Sequence, residues 1–238
     1  MLDTILFDLD GTLLPIDEQV FTKAYFKALC AVLAPDGFEP QAFTQMIWAG
    51  TKCMIKNDGS RPNIDVFWDE FKRLAPDCDV ESVRAKCDAF YENEFDALKS
   101  VVGAAPYAAK IVHALRDKGY KVALATNPVF PLVAVKTRLK WIGLSARDFD
   151  YVTTYENSRF CKPSAGYYND ILNALGARIS DCLMIGNHAV EDMCFAGMGG
   201  DVYLVTDHVI NEAGMDISKF RQSDMAGLMA YVETLPEV

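Results

Sequence analysis

Thr4-Ile5-Leu6-Phe7-Asp8-Leu9-Asp10-Gly11-Thr12-Leu13 is the stretch of this 238-residue chain from which its fold is legible. It is an apolar run with two carboxylates set into it. Such a run reads as a buried strand of a parallel sheet, because a strand covered on both faces need not alternate with polar residues. Asp8 and Asp10 are two apart, so an extended backbone reaching that far puts both on one side. Gly11 supplies the freedom to leave the sheet, and Thr12 follows the turn. Two carboxylates at a strand end are costly unless a cation or hydrogen bonds compensate. The carboxyl ends of parallel strands are also where open α/β sheets bind ligands.

Outward from this strand, the pattern changes at about residue 16. Val20, Tyr25, Phe26, Leu29, Val32 and Leu33 have helical spacing that stops near Pro35-Asp36-Gly37. Phe43, Ile47, Met54 and Ile55 predict a second helix; Phe67, Phe71 and Leu74 a third; Val80, Val83, Cys87, Phe90, Tyr91 and Phe95 a fourth. From Gly103 strands and helices alternate. Strands are predicted at Tyr120–Ala125, Tyr151–Thr154, Asp181–Ile185 and Val202–Val205, with helices near 130–141, 165–175 and 223–235. That alternation implies an α/β fold with a Rossmann-like parallel sheet core. The expected organisation is a core of 1–15 and 101–238, with 16–100 inserted as an all-helical domain.

Half of the residues are hydrophobic, which specifies a folded globular protein. A net charge of −10 argues against nucleic-acid and anionic-membrane partners. The seven cysteines form no CxxC pair and several sit in apolar runs, so reduced thiols in a cytoplasmic protein are expected. No apolar run approaches the ~18 residues of a membrane span. No oligomer signal is legible.

The DLDGT segment in its apolar setting resembles the nucleophile motif of the haloacid dehalogenase superfamily. The resemblance implies that Asp8 is a nucleophile forming an aspartyl-phosphate and that Asp10 is a general acid, then base. A carboxylate can serve as a covalent nucleophile, and a second acid nearby can protonate a leaving alkoxide. Three later segments extend the resemblance. Leu124-Ala125-Thr126-Asn127 ends a strand with a hydroxyl, as the second motif does, which makes Thr126 and Asn127 candidate phosphoryl binders. Cys161-Lys162-Pro163 precedes a helix, as the third motif's lysine does; Lys162 would offset negative charge in the transition state.

The fourth segment, Gly186-Asn187-His188-Ala189-Val190-Glu191-Asp192, departs from the family pattern. A member would usually carry an aspartate soon after Gly186 and a second acid four or five residues on. Asp192 is that second acid, whereas Asn187 or His188 stands at the first position. Magnesium prefers oxygen ligands, and Asn187 still offers one. The implied metal set is Asp8, Asp10, Asn187 and Asp192 with Mg2+, and the implied activity is a phosphatase for a small phosphorylated metabolite. A hexose-phosphate mutase, a dehalogenase and a binding protein with a decayed metal site are the alternatives, the last favoured by Asn187-His188. The insertion at 16–100 matches a type-1 helical cap, which closes over substrate. Within it Lys52 and Lys56 can share one helix face with Trp48; such a pattern is more often a solvated face with the aromatic packed inward than a contact for an anionic substrate.

Overall fold

A computed structural model describes residues 1–238, the side chain of Asp36 apart. Six strands form one all-parallel sheet: β1 (Thr4–Phe7), β2 (Lys121–Leu124), β3 (Tyr151–Val152), β4 (Cys182–Gly186), β5 (Asp201–Val205) and β6 (Arg221–Ser223). Their order is β3-β2-β1-β4-β5-β6, so the apolar run at the start of the chain becomes a central strand. Thr4 pairs with Lys121 on one side and Cys182 on the other. All four β1 residues are buried, as a strand covered on both faces requires. Alternate side chains serve two cores: Ile5 and Phe7 join the larger, Leu6 the smaller.

Between β1 and β2 the chain is helical: α1 (Glu18–Leu33), α2 (Pro40–Ile55), α3 (Asn63–Leu74) and α4 (Val80–Asn93). Side-chain caps start three of them. Asp17 accepts from the Val20 N–H, Glu39 from that of Ala42 and Asp79 from that of Ser82, each satisfying a first-turn donor that has no partner within its helix. The chain enters and leaves this stretch through paired backbone. Ile16 bridges Val102, and the Gly103 N–H donates to the Pro15 carbonyl at 2.8 Å.

The remaining helices are α5 (Ala108–Asp117), α6 (Leu132–Trp141), α7 (Ala165–Leu175) and α8 (Met225–Thr234). Tyr167, Tyr168 and Ile171 of α7 cover the Leu6 face; α5 and α8 bury Ile111, Val112 and Leu228 in the larger core. Among the described residues no helix is long and apolar enough to cross a membrane.

One expectation needs correction, and one strand was not foreseen. The strand does not reach Asp10: the Asp8 N–H still bonds the Ile185 carbonyl, but the N–H groups of Thr12 and Leu14 both turn back to the Leu9 carbonyl. Asp10 therefore sits in a turn and not on a strand face shared with Asp8. The edge strand β6 had no sequence signal, because Arg-Gln-Ser lacks an apolar pattern and is placed only by pairing with β5.

Candidate active site

The carboxyl ends of β1, β2 and β4 converge beneath one cavity of about 890 Å3, lined by Asp8, Asp10, Thr126, Asn127, Asn187 and Asp192 together with α1–α4. Asp8 is the first residue past β1, and its two oxygens are held separately. Lys162 Nζ donates to Oδ1 at 2.8 Å, and the Thr12 hydroxyl lies 3.1 Å from Oδ2. Lys162 also donates to Asp192 Oδ1 at 2.6 Å, so one ammonium, 1% exposed, bridges two carboxylates. Burial pushes the Asp8 carboxyl up to about 7; Lys162 draws it down, while Asp192 adds to the rise. Burial alone would lower the lysine, but Asp192 and Asp8 together hold it well above its ordinary value.

Asp192 is wholly buried. Its second oxygen accepts the His188 N–H at 2.9 Å, closing the loop after β4 around the carboxylate. A Cβ on Gly186 would stand 2.1 Å from that oxygen, so only glycine leaves it room. Both Asp192 oxygens, expected to serve a metal, are thus already engaged. Asn187 and His188, the two residues at the open register, have different partners. His188 Nδ1 turns back to accept the N–H groups of Val190 and Glu191, both at 3.2 Å. Asn187 instead faces Asp8. Its Nδ2 donates to the His208 carbonyl at 2.7 Å, which turns Oδ1 toward the Thr12 hydroxyl at 3.1 Å. Gly11, at φ +82°, permits this approach, since a Cβ there would stand 2.2 Å from Asn187 Nδ2.

Thr126 is buried at the end of β2, its carbonyl accepting the Thr153 and Tyr167 hydroxyls at 2.6 and 2.9 Å. Asn127 works as a tie between loops. Its Oδ1 accepts the Lys162 N–H at 3.2 Å and its Nδ2 donates to Glu191 at 3.1 Å. Burial raises the Glu191 carboxyl, against the pull of Lys162 and His188. Sequence reasoning missed Arg138, which is fully buried on α6, ion-paired with Asp10 and stacked 4.5 Å from the Phe130 ring centroid. One Arg138 nitrogen, Nη2, and one Asp10 oxygen, Oδ1, are buried without a partner. The signal was available in helical spacing: 138 is four past Ala134 and three past Val135, both buried. Of the helix face shared by Trp48, Lys52 and Lys56, Trp48 lines the cavity and the two lysines do not.

Among the described residues no three His, Cys, Asp or Glu side chains could hold a metal by themselves. The wider donor set fits an oxygen-seeking cation. Thr12 has one hydroxyl proton for two facing oxygens, Asp8 Oδ2 and Asn187 Oδ1, so one of the two lacks a donor there. Four acids (Asp8, Asp10, Glu191 and Asp192) also stand against two buried cations, Lys162 and Arg138. The excess of two negative charges suits a divalent ion.

Comparisons with known proteins agree with this arrangement. The model of the haloacid dehalogenase-like hydrolase family matches residues 2–197. Pyrophosphatase PpaX of Halalkalibacterium halodurans is 27% identical over 192 residues, covering 79% of this chain and 76% of that protein. In fold, the chain is similar to a HAD phosphatase from Thermococcus onnurineus, with a TM-score of 0.62 and 19% identity over 100% of both chains. It is similar also to a 2-haloacid dehalogenase from Pseudomonas syringae pv. Tomato DC3000, with a TM-score of 0.64 and 18% identity over 98% of each. CbbY from Rhodobacter sphaeroides, in complex with phosphate, gives 0.61 and 18% over 96% of each.

Proposed function

This chain belongs to the haloacid dehalogenase-like hydrolases, and from that premise we propose that it is a magnesium-dependent phosphatase of a small phosphorylated metabolite. The observation that carries the reading is the Asp8 carboxylate on the cavity floor, held by Lys162 at 2.8 Å and facing Asn187 across Thr12. An oxygen of Asp8 attacks phosphorus while the bond to the leaving oxygen breaks, and Asp10 gives that oxygen a proton. Asp10, now ionised, takes a proton from water, which attacks the aspartyl-phosphate at phosphorus and regenerates Asp8 with release of inorganic phosphate. Arg138 pairs with Asp10 and fixes the orientation of its carboxyl. Lys162 offsets charge on the phosphoryl oxygens. Thr126 contributes its hydroxyl. Asn127, its side chain occupied, contributes through the backbone.

Asp8, the Asp10 main-chain carbonyl and Asn187 would hold the Mg2+, with Asp192 joining through lone pairs that Lys162 and His188 leave. When bound, the ion reduces repulsion between the nucleophile and the phosphoryl oxygens. Residues 16–100 act as the cap: α1–α4 line the cavity opposite Asp8, and the paired neck at Ile16 and Val102 is where they would pivot. The pyrophosphatase relative makes pyrophosphate one candidate substrate.

The test is release of inorganic phosphate from a phosphomonoester panel as Mg2+ is titrated, with mass spectrometry of a quenched reaction for a phosphate on Asp8. One observation favours a second reading, a binding protein: the neutral Asn187 at a ligand position. Absence of turnover across the panel, with a ligand still bound, would establish it instead.

A further inference from the structure

Resting on the phosphatase reading, we propose that the leaving group of the substrate is an apolar, ring-bearing alcohol with no second anionic group. The single phosphoryl group is bound at the floor, and the chemistry of the walls selects what is attached to it. Tyr25, Trp48, Phe67, Tyr91 and Phe130 line the cavity above Asp8. They come from all four helices of the insertion and from the loop after β2. Tyr25 and Tyr91 are stacked with hydroxyls 2.7 Å apart, so each supplies the other's polar partner and what they present to the cavity is aromatic carbon.

Charge points the same way. Among the described residues lining the cavity there is no lysine or arginine. Lys162 and Arg138 lie beneath the floor, 1% and 0% exposed, each already paired with carboxylates. The charged residues that do line the walls and mouth include Asp17, Glu18, Glu191 and Glu212. A carboxylate or second phosphate on the leaving group would lose water there and meet like charge, with no fork of donors to receive it.

The mouth gives an independent observation. Trp48, Ile55 and Val209 are 51%, 48% and 39% exposed, and all three line this one cavity. Large apolar side chains gathered at an opening mark a surface that an apolar ligand covers. A ring entering past Trp48 would meet a wall of aromatic and aliphatic carbon.

Leaving groups of matched basicity separate recognition from intrinsic reactivity: 3-phenylpropyl phosphate, propyl phosphate and 3-carboxypropyl phosphate, with inorganic pyrophosphate as a doubly anionic comparison. Each is assayed with the full chain and Mg2+. The expected kcat/KM for 3-phenylpropyl phosphate exceeds that for propyl phosphate by roughly 30-fold, the effect of burying one ring, and 3-carboxypropyl phosphate falls below propyl phosphate. Trp48→Ala, at a half-exposed position, lowers the phenylpropyl-to-propyl ratio by about fivefold or more, roughly 1 kcal/mol. Turnover of 3-carboxypropyl phosphate or pyrophosphate at or above that of 3-phenylpropyl phosphate overturns the inference and leaves the phosphatase reading standing. A ratio unmoved by Trp48→Ala overturns it too. Turnover of none of the four defeats the phosphatase reading itself, and the inference with it.

Discussion

Replacing Lys162 by methionine keeps most of the side chain's length and removes its charge, and the geometry sets the size of the effect. The ammonium donates to Asp8 at 2.8 Å and to Asp192 at 2.6 Å while buried. Lys162→Met therefore leaves two buried carboxylates without a cation. Breaking a buried pair from one side costs about 3–5 kcal/mol. For a chain of this size each kcal/mol moves Tm by about 2–4 °C, so the melt should fall by roughly 6–20 °C at pH 8. The pH dependence has a definite sign. Lys162 is raised in the fold, so its stabilisation is complete below its unfolded value and is lost only as pH rises through a still higher one. Asp8 is also raised, from 3.8 to about 7; its protonated form stabilises the fold at low pH, and that contribution is lost as pH rises through about 7. With the lysine gone Asp8 binds its proton more tightly still, and the gap between variant and wild type widens from pH 5.5 to pH 8. Thermal unfolding followed by circular dichroism, in EDTA at both pH values, measures it. A fall under about 3 °C at pH 8, or the same fall at both pH values, would refute the buried bridge.

Three further outcomes are expected. Asp8→Asn should lose phosphate release by several orders of magnitude in steady-state assay; it should also gain stability over wild type from pH 5 to pH 8, because it removes a carboxylate that is raised to about 7. Asn187→Asp should lower the Mg2+ concentration for half-maximal turnover while His188→Asp does not, and in EDTA it should melt earlier, since the donor to the His208 carbonyl is lost at a cost of about 1–3 kcal/mol. Arg138→Met should cut kcat at least tenfold with KM changed less than threefold, because it releases Asp10 while Arg138 itself does not line the cavity; a fall carried by KM alone would remove Arg138 from the chemistry.

What was legible in the sequence was what periodicity and chain order encode. The DLDGT run, the helical insertion and the alternation after Gly103 specified the parallel sheet, and Asp8, Lys162 and Asp192 meet at its strand ends. What was hidden depends on three-dimensional neighbours. Arg138 shares the helical spacing of the buried Ala134 and Val135, but its partners, the Phe130 ring and the Asp10 carboxylate, are set by the fold and not by that spacing. Asn127 reads as a phosphoryl contact from its position, yet its side chain is drawn to Lys162 and Glu191, partners remote in sequence. By sequence Lys162 is a charge for the site alone; its burial makes it part of the fold as well.

The position of β1 has a consequence for how the molecule is made. It is the first of the six strands in chain order and a central one in the finished sheet, with Lys121 and Cys182 as the far-off partners of Thr4. Until those arrive, Thr-Ile-Leu-Phe has two open edges and no cover, while the four helices after it can already form among local neighbours. Assembly of the sheet then requires closing long loops, a slow step that topology imposes. From residue 7 until β4 is made, the nascent chain thus carries an apolar strand without its full cover, and two charges just past such a strand, as at Asp8 and Asp10, are a placement that disfavours pairing with a wrong edge.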